Sequence, residues 1–129
     1  MTTTSSVATL SVLIVEDCAD TAESLAELLD IYGYRIRVAR TGEEALRLAA
    51  ESPPDAVLLD IGLPGMDGCA VARSLGQLLG CRPLLAAVTG YTHLLAQAHA
   101  AGIEHYFVKP VDTTVLDNLL RLYCAARPR

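Results

Sequence analysis

The chain has 129 residues, 52% of them hydrophobic, which suits one compact domain with a core and is too short for two. A formal net charge of -5 and the lack of any Lys/Arg block argue against nucleic acid or an anionic membrane as a direct partner, since both need basic patches. No apolar stretch approaches the roughly 18 residues of a membrane span, and Met1 to Ser6 has neither a basic flank nor an apolar signal core, so a cytoplasmic location is expected.

In chain order, residues 1–9 read as a flexible Thr/Ser-rich leader. The apolar run 10–15 then predicts a strand, ending in the pair Glu16-Asp17. Asp20 and Glu23 form a capping box for a first helix that carries Ala22, Leu25, Leu28, Leu29 and Tyr32 inward as far as Gly33. Residues 34–38 alternate like a half-exposed edge strand. Thr41 and Glu44 form a second capping box, and the helix they open stops at Ser52-Pro53-Pro54.

The run 56–59 is a third, fully buried strand, ending in Asp60 and followed by Ile61-Gly62-Leu63-Pro64-Gly65-Met66-Asp67-Gly68. Asp67 caps a third helix that buries Val71, Leu75 and Leu78. Residues 84–88 form a fourth strand ending at Thr89, and Thr92 caps a fourth helix that closes at Gly102. Tyr106-Phe107-Val108 is a fifth strand running into Lys109-Pro110, and Asp112 caps a fifth helix with Val115, Leu116, Leu119 and Tyr123 inward. Residues 126–129 read as a frayed tail.

Strict alternation with short links implies right-handed crossovers, and hence one doubly wound parallel α/β sheet of five strands with helices on both faces. Ligands in such sheets collect beyond the carboxyl ends of the strands. Glu16, Asp17, Asp60, Thr89 and Lys109 all fall at ends of that polarity. Taken singly, Asp60 reads as well as a turn opener and Lys109 as a surface charge; their joint placement favours a site.

Two like charges about 4 Å apart repel by roughly 4 kcal/mol at an effective dielectric near 20, and one lysine offsets only part of the repulsion among three acids. A hard divalent cation suits the remainder, and magnesium typically binds through one or two carboxylates while keeping waters and phosphate oxygens. Asp60 is then the candidate nucleophile for an aspartyl phosphate, Lys109 steadies the phosphoryl charge, and the Thr89 hydroxyl reaches a phosphate oxygen. The four cysteines Cys18, Cys69, Cys81 and Cys124 have no C-x-x-C spacing and read as free thiols. The acids beside Cys18 are expected to raise its pKa. His93, His99 and His105 lack ligand spacing.

With Glu16-Asp17, Asp60 before Leu63-Pro64-Gly65-Met66-Asp67-Gly68, Thr89, Tyr106 and Lys109-Pro110 in that order, residues 10–125 resemble the receiver domain of bacterial response regulators, the chemotaxis regulator included. That resemblance implies a flavodoxin-like strand order 2-1-3-4-5 and a phosphoacceptor switch of two-component signalling, not a turnover enzyme. It implies phosphorylation at Asp60 by a histidine kinase or histidine phosphotransfer protein. Asp17, Asp60 and the Gly62 carbonyl are implied as Mg2+ ligands, with Glu16 holding the metal through water.

Thr89 and Tyr106 resemble the paired switch residues that move toward the phosphoryl group and inward, with output on the face of the fourth helix, fifth strand and fifth helix. An unidentified downstream protein is expected there, against His93, Leu94, Gln97 and Tyr106, because residues 92–101 contain no Asp, Glu, Lys or Arg, although an ordinary Ala-rich helix reads equally well. Gly90 and Tyr91 look like those of receivers found with hybrid kinases. The chain reads as either a stand-alone receiver or one cut from a larger protein, and Met1 and the polar leader favour the first.

Rival chemistries fit less well. A haloacid-dehalogenase-like phosphatase needs a second Asp where Gly62 stands. A flavodoxin-type carrier would set its phosphate against Glu16-Asp17-Cys18-Ala19-Asp20, and G-x-x-x-x-G-K-[ST] is absent. The remaining alternative is a receiver-shaped interaction module that works without phosphorylation.

Overall fold

The computed structural model describes residues 10–62, 67–80, 83–90, 95–103 and 105–126. The leader, residues 63–66 of the loop signature, Cys81, Tyr91, the Thr92 cap, His93, Leu94 and the last three residues lie outside that set, as do the side chains at 95 and 124–126. Strands β1 (Ser11–Val15), β2 (Arg35–Ala39), β3 (Ala56–Asp60), β4 (Leu84–Thr89) and β5 (His105–Val108) alternate with helices α1 (Ala19–Ile31), α2 (Gly42–Glu51), α3 (Gly68–Leu79), α4 (Leu95–Ala100) and α5 (Thr113–Ala126). All pairings are parallel, in the order β2-β1-β3-β4-β5.

Alternating residues of each strand feed opposite faces of the sheet. Leu13, Val15, Val57 and Leu59 pack toward α2, α3 and α4 with Ala45, Ala49, Leu75 and Ala98. Val12, Ile14, Ala56 and Leu58 pack toward α1 and α5 with Leu25, Leu29, Leu116 and Leu120. β3 is buried along its whole length, whereas β2, the edge strand, is partly exposed.

Three of the expected caps are present. Thr41 accepts from the Glu44 N–H, Asp67 from Cys69 and Ala70, and Asp112 from Thr114 and Val115. The Asp20 cap is not. α1 starts earlier, with extended Cys18 as its N-cap and no side-chain cap bond, leaving Asp20 in the first turn, where its charge favours the helix dipole.

Three residues expected inward point outward instead. Leu28, Leu78 and Val115 are 43%, 48% and 51% exposed, while their helices bury Leu29, Leu79 and Leu116. Each belongs to an adjacent apolar pair, and helical spacing of about 100° per residue lets only one of the pair face the sheet fully.

Candidate functional site

The chain passes from β1 to β2 on one side and from β2 back across to β3 on the other side of β1, so a crevice opens beyond the carboxyl ends of β1 and β3. Register makes the edge level: Val15 pairs with Leu59, Asp60 with Val88, and Thr89 with Val108. Glu16, Asp17, Asp60, Thr89 and Lys109 therefore emerge along one rim.

Lys109 joins two of the acids. Its Nζ donates to Asp60 Oδ2 at 2.6 Å and to Glu16 Oε1 at 2.9 Å. Both carboxylates are deeply buried, with relative exposures of 4% for Glu16 and 5% for Asp60. Burial pulls the lysine pKa down, but the hydrogen bonds and charges of Asp60 and Glu16 together outweigh it and hold the ammonium above the usual lysine range. Local backbone completes the pair: the Gly62 N–H donates to Asp60 Oδ1 at 2.9 Å, and the Cys18 N–H to Glu16 Oε2 at 3.1 Å. Glu16 thus also braces the start of α1, where Asp20 was expected to act.

The acid-lysine cluster forms one end of a cavity of about 490 Å³ that runs beneath α1, walled by Ile14, Leu25, Leu58, Val88 and Val111. Thr89 is fully buried, and its carbonyl accepts from the Lys109 N–H at 2.9 Å, which ties the lysine that pairs with Asp60 to the end of β4. Tyr106 is half-buried against the α2/α3/α4 core, and its hydroxyl donates to the Ile103 carbonyl at 3.0 Å. Gln97 is exposed on α4; the other two residues expected on that face from the same loop and helix, His93 and Leu94, lie outside the described residues.

Asp17 is exposed at the rim. Among the described residues, no three His, Cys, Asp or Glu side chains converge closely enough to form a metal cage. The donor chemistry still fits magnesium, which does not require such a cage: one or two carboxylates, a carbonyl, waters and phosphate oxygens fill its octahedron. Glu16, Asp17, Asp60 and the Gly62 carbonyl supply hard oxygen donors of that kind.

Two features were not anticipated. Arg40, just past β2, places its guanidinium on the Asp17 carbonyl, with Nε at 3.0 Å and Nη2 at 2.7 Å. Its position at the carboxyl end of a strand was a legible signal. Cys18 also differs from expectation: hydrogen bonds from the Thr21 side chain and backbone lower its pKa, outweighing burial and the charge of Glu16. Cys69 is buried, and burial and the charge of Asp67 push its thiol pKa up.

The sequence model of the response regulator receiver domain matches residues 12–121. The transcriptional regulatory protein KdpE of Mycobacterium tuberculosis is 36% identical over 116 residues, covering 90% of this chain and 50% of that protein. The positive alginate biosynthesis regulatory protein of Pseudomonas aeruginosa is 38% identical over 122 residues, covering 92% and 48%. The chain thus spans about half the length of these curated relatives.

A CheY-like receiver domain from Methylobacillus flagellatus superimposes with a TM-score of 0.81 at 30% identity, over 88% of this chain and 98% of that one. One from Methanospirillum hungatei gives 0.80 at 27%, over 90% and 94%. Five parallel strands in the order β2-β1-β3-β4-β5, acids and a lysine at one rim, and a family match over most of its length make this chain a member of the response regulator receiver domain family.

Proposed function

We propose that this chain accepts a phosphoryl group on Asp60 from a histidine kinase or histidine phosphotransfer protein, with magnesium, and so shifts the face of α4, β5 and α5 toward a protein partner. The observation that carries the reading is Asp60 itself: buried at the switch-point crevice, with Oδ2 on Lys109 and Oδ1 on the Gly62 amide. A carboxylate oxygen attacks phosphorus, and the P–N bond to the donor imidazole breaks with its electron pair leaving on nitrogen.

Lys109 already sits within hydrogen-bond reach of the nucleophile and turns its remaining donor capacity to the phosphoryl oxygens. Asp17, Asp60 and the Gly62 carbonyl would hold magnesium, with Glu16 acting through water. When bound, the ion supplies charge neutralisation on the transferring group. Thr89 lies one strand away and offers its hydroxyl to the new phosphate, while Tyr106 follows from β5. The domain acts as a switch set by a covalent charge change.

A second reading is an interaction module that works without phosphorylation. Incubation with magnesium and a small acyl phosphate, followed by intact mass, separates the two. Wild type is expected to gain one phosphoryl group and Asp60→Ala none. A wild type that stays unmodified beside a competent receiver control rules out the phosphoacceptor reading.

A further inference from the structure

The backbone around Asp17 is held from the β2 side. The Glu16 N–H donates to the Ala39 carbonyl at 3.0 Å, the last tie between the ends of β1 and β2. The next residue along β2's exit, Arg40, is fixed by its own N–H, which donates to Glu44 Oε1 at 2.7 Å in the first turn of α2. From there its Nε and Nη2 both reach the Asp17 carbonyl, 23 residues away in sequence. Both donors of one guanidinium edge thus converge on that single oxygen. The Asp17 side chain is exposed, so packing does not aim it, and the Arg40 fork holds the peptide from which it departs.

We propose that Arg40 is a positioning residue: its fork sets the Asp17 peptide, and through it the carboxylate, for the divalent cation. This rests on the magnesium-dependent reading above. Charge and grip predict opposite signs. A guanidinium near a dication repels it, so an arginine acting by charge alone would weaken magnesium binding, and its removal would tighten it. An arginine acting by grip would leave binding weaker once removed. Lysine keeps the charge but not the planar fork, so it cannot substitute for a grip.

The test is a magnesium titration without phosphodonor, followed by amide chemical shifts, on wild type, Arg40→Ala, Arg40→Lys and Asp17→Asn, with thermal melts of each. Both Arg40 variants are expected to bind magnesium about tenfold more weakly, the lower end of what losing a group that orients a metal ligand costs. Their melting temperatures are expected to stay close to wild type, and the Cys18 amide to exchange faster in the metal-free variants. Arg40→Ala binding as tightly as wild type, or tighter, overturns the proposal. So does Arg40→Lys keeping wild-type affinity, since a single ammonium donor would then serve as well as the planar fork. Wild type giving no magnesium response would instead sink the metal reading, and this inference with it.

Discussion

Lys109 stands between two buried carboxylates that would otherwise face each other. Its side chain keeps 30% of its surface exposed while each acid keeps 6%, so the lysine bridges solvent and interior. Removing one partner of a buried ion pair costs more than the pair contributes, because the charges left behind are uncompensated. Lys109→Met is therefore expected to lower stability by about 3 kcal/mol in urea melts at neutral pH. Magnesium should narrow the gap to wild type, since a dication replaces the missing charge; an equal gap with and without it would mean the acids do not share a cation site. The raised lysine pKa gives the pH window. This pairing is fully present below about pH 10.4 and is lost as pH climbs through the higher folded value. Position along the chain made Asp60, Glu16 and Lys109 legible, because strand ends of one polarity must meet. The path of the Glu16 side chain back to the Cys18 amide was not, since it depends on where α1 starts, and Asp20 offered a stronger capping pattern.

Among the elements, α3 shows what a one-letter sequence hides. It begins with Gly68 and carries Gly76 in its interior, two identical letters with opposite constraints. A Cβ on Gly68 would lie 2.5 Å from the Ile61 Cα, a backbone atom with no freedom to retreat, so the loop after Asp60 closes onto the helix only because that hydrogen is there. A Cβ on Gly76 would meet nothing within 4 Å. Gly68→Ala is accordingly expected to destabilise by about 2 kcal/mol and to disturb the Asp60–Gly62 turn. Gly76→Ala is expected to stabilise by about 0.5–1 kcal/mol, the ordinary helix-propensity gain. Chemical denaturation of both variants decides the matter, and two changes of the same sign would contradict the packing. Helix caps were readable in advance at Thr41, Asp67 and Asp112 because a single side chain and its local backbone decide them. The exposed members of the Leu28-Leu29, Leu78-Leu79 and Val115-Leu116 pairs were not, since the exact helix phase against the sheet comes from tertiary packing.

At the scale of the whole molecule, the rim and the proposed output face are joined by few groups. The Lys109 amide is bonded to the Thr89 carbonyl, so the residue that pairs with Asp60 is tied to the end of β4. β4 pairs with β5 from Ala86–His105 to Thr89–Val108, and Tyr106 lies within that ladder, its ring against the core that also takes Ala98, Ala101 and Ile103 around α4. A charge added at Asp60 can thus reach α4 through β4 and β5. β2, at the opposite edge, lies two strands from β3 and pairs with neither β4 nor β5. If phosphorylation shifts a two-state population, amide exchange should change at Thr89, through residues 105–108 and across 95–100, while residues 35–39 stay as they were. Tyr106→Ala should still accept the phosphoryl group by mass but lose the change across α4, because the ring that couples strand to helix is gone. Exchange that is identical before and after modification would leave Asp60 a phosphorylation site without a switch. A response spread evenly over β2 as well would point to global loosening instead of a path through β4, Tyr106 and α4.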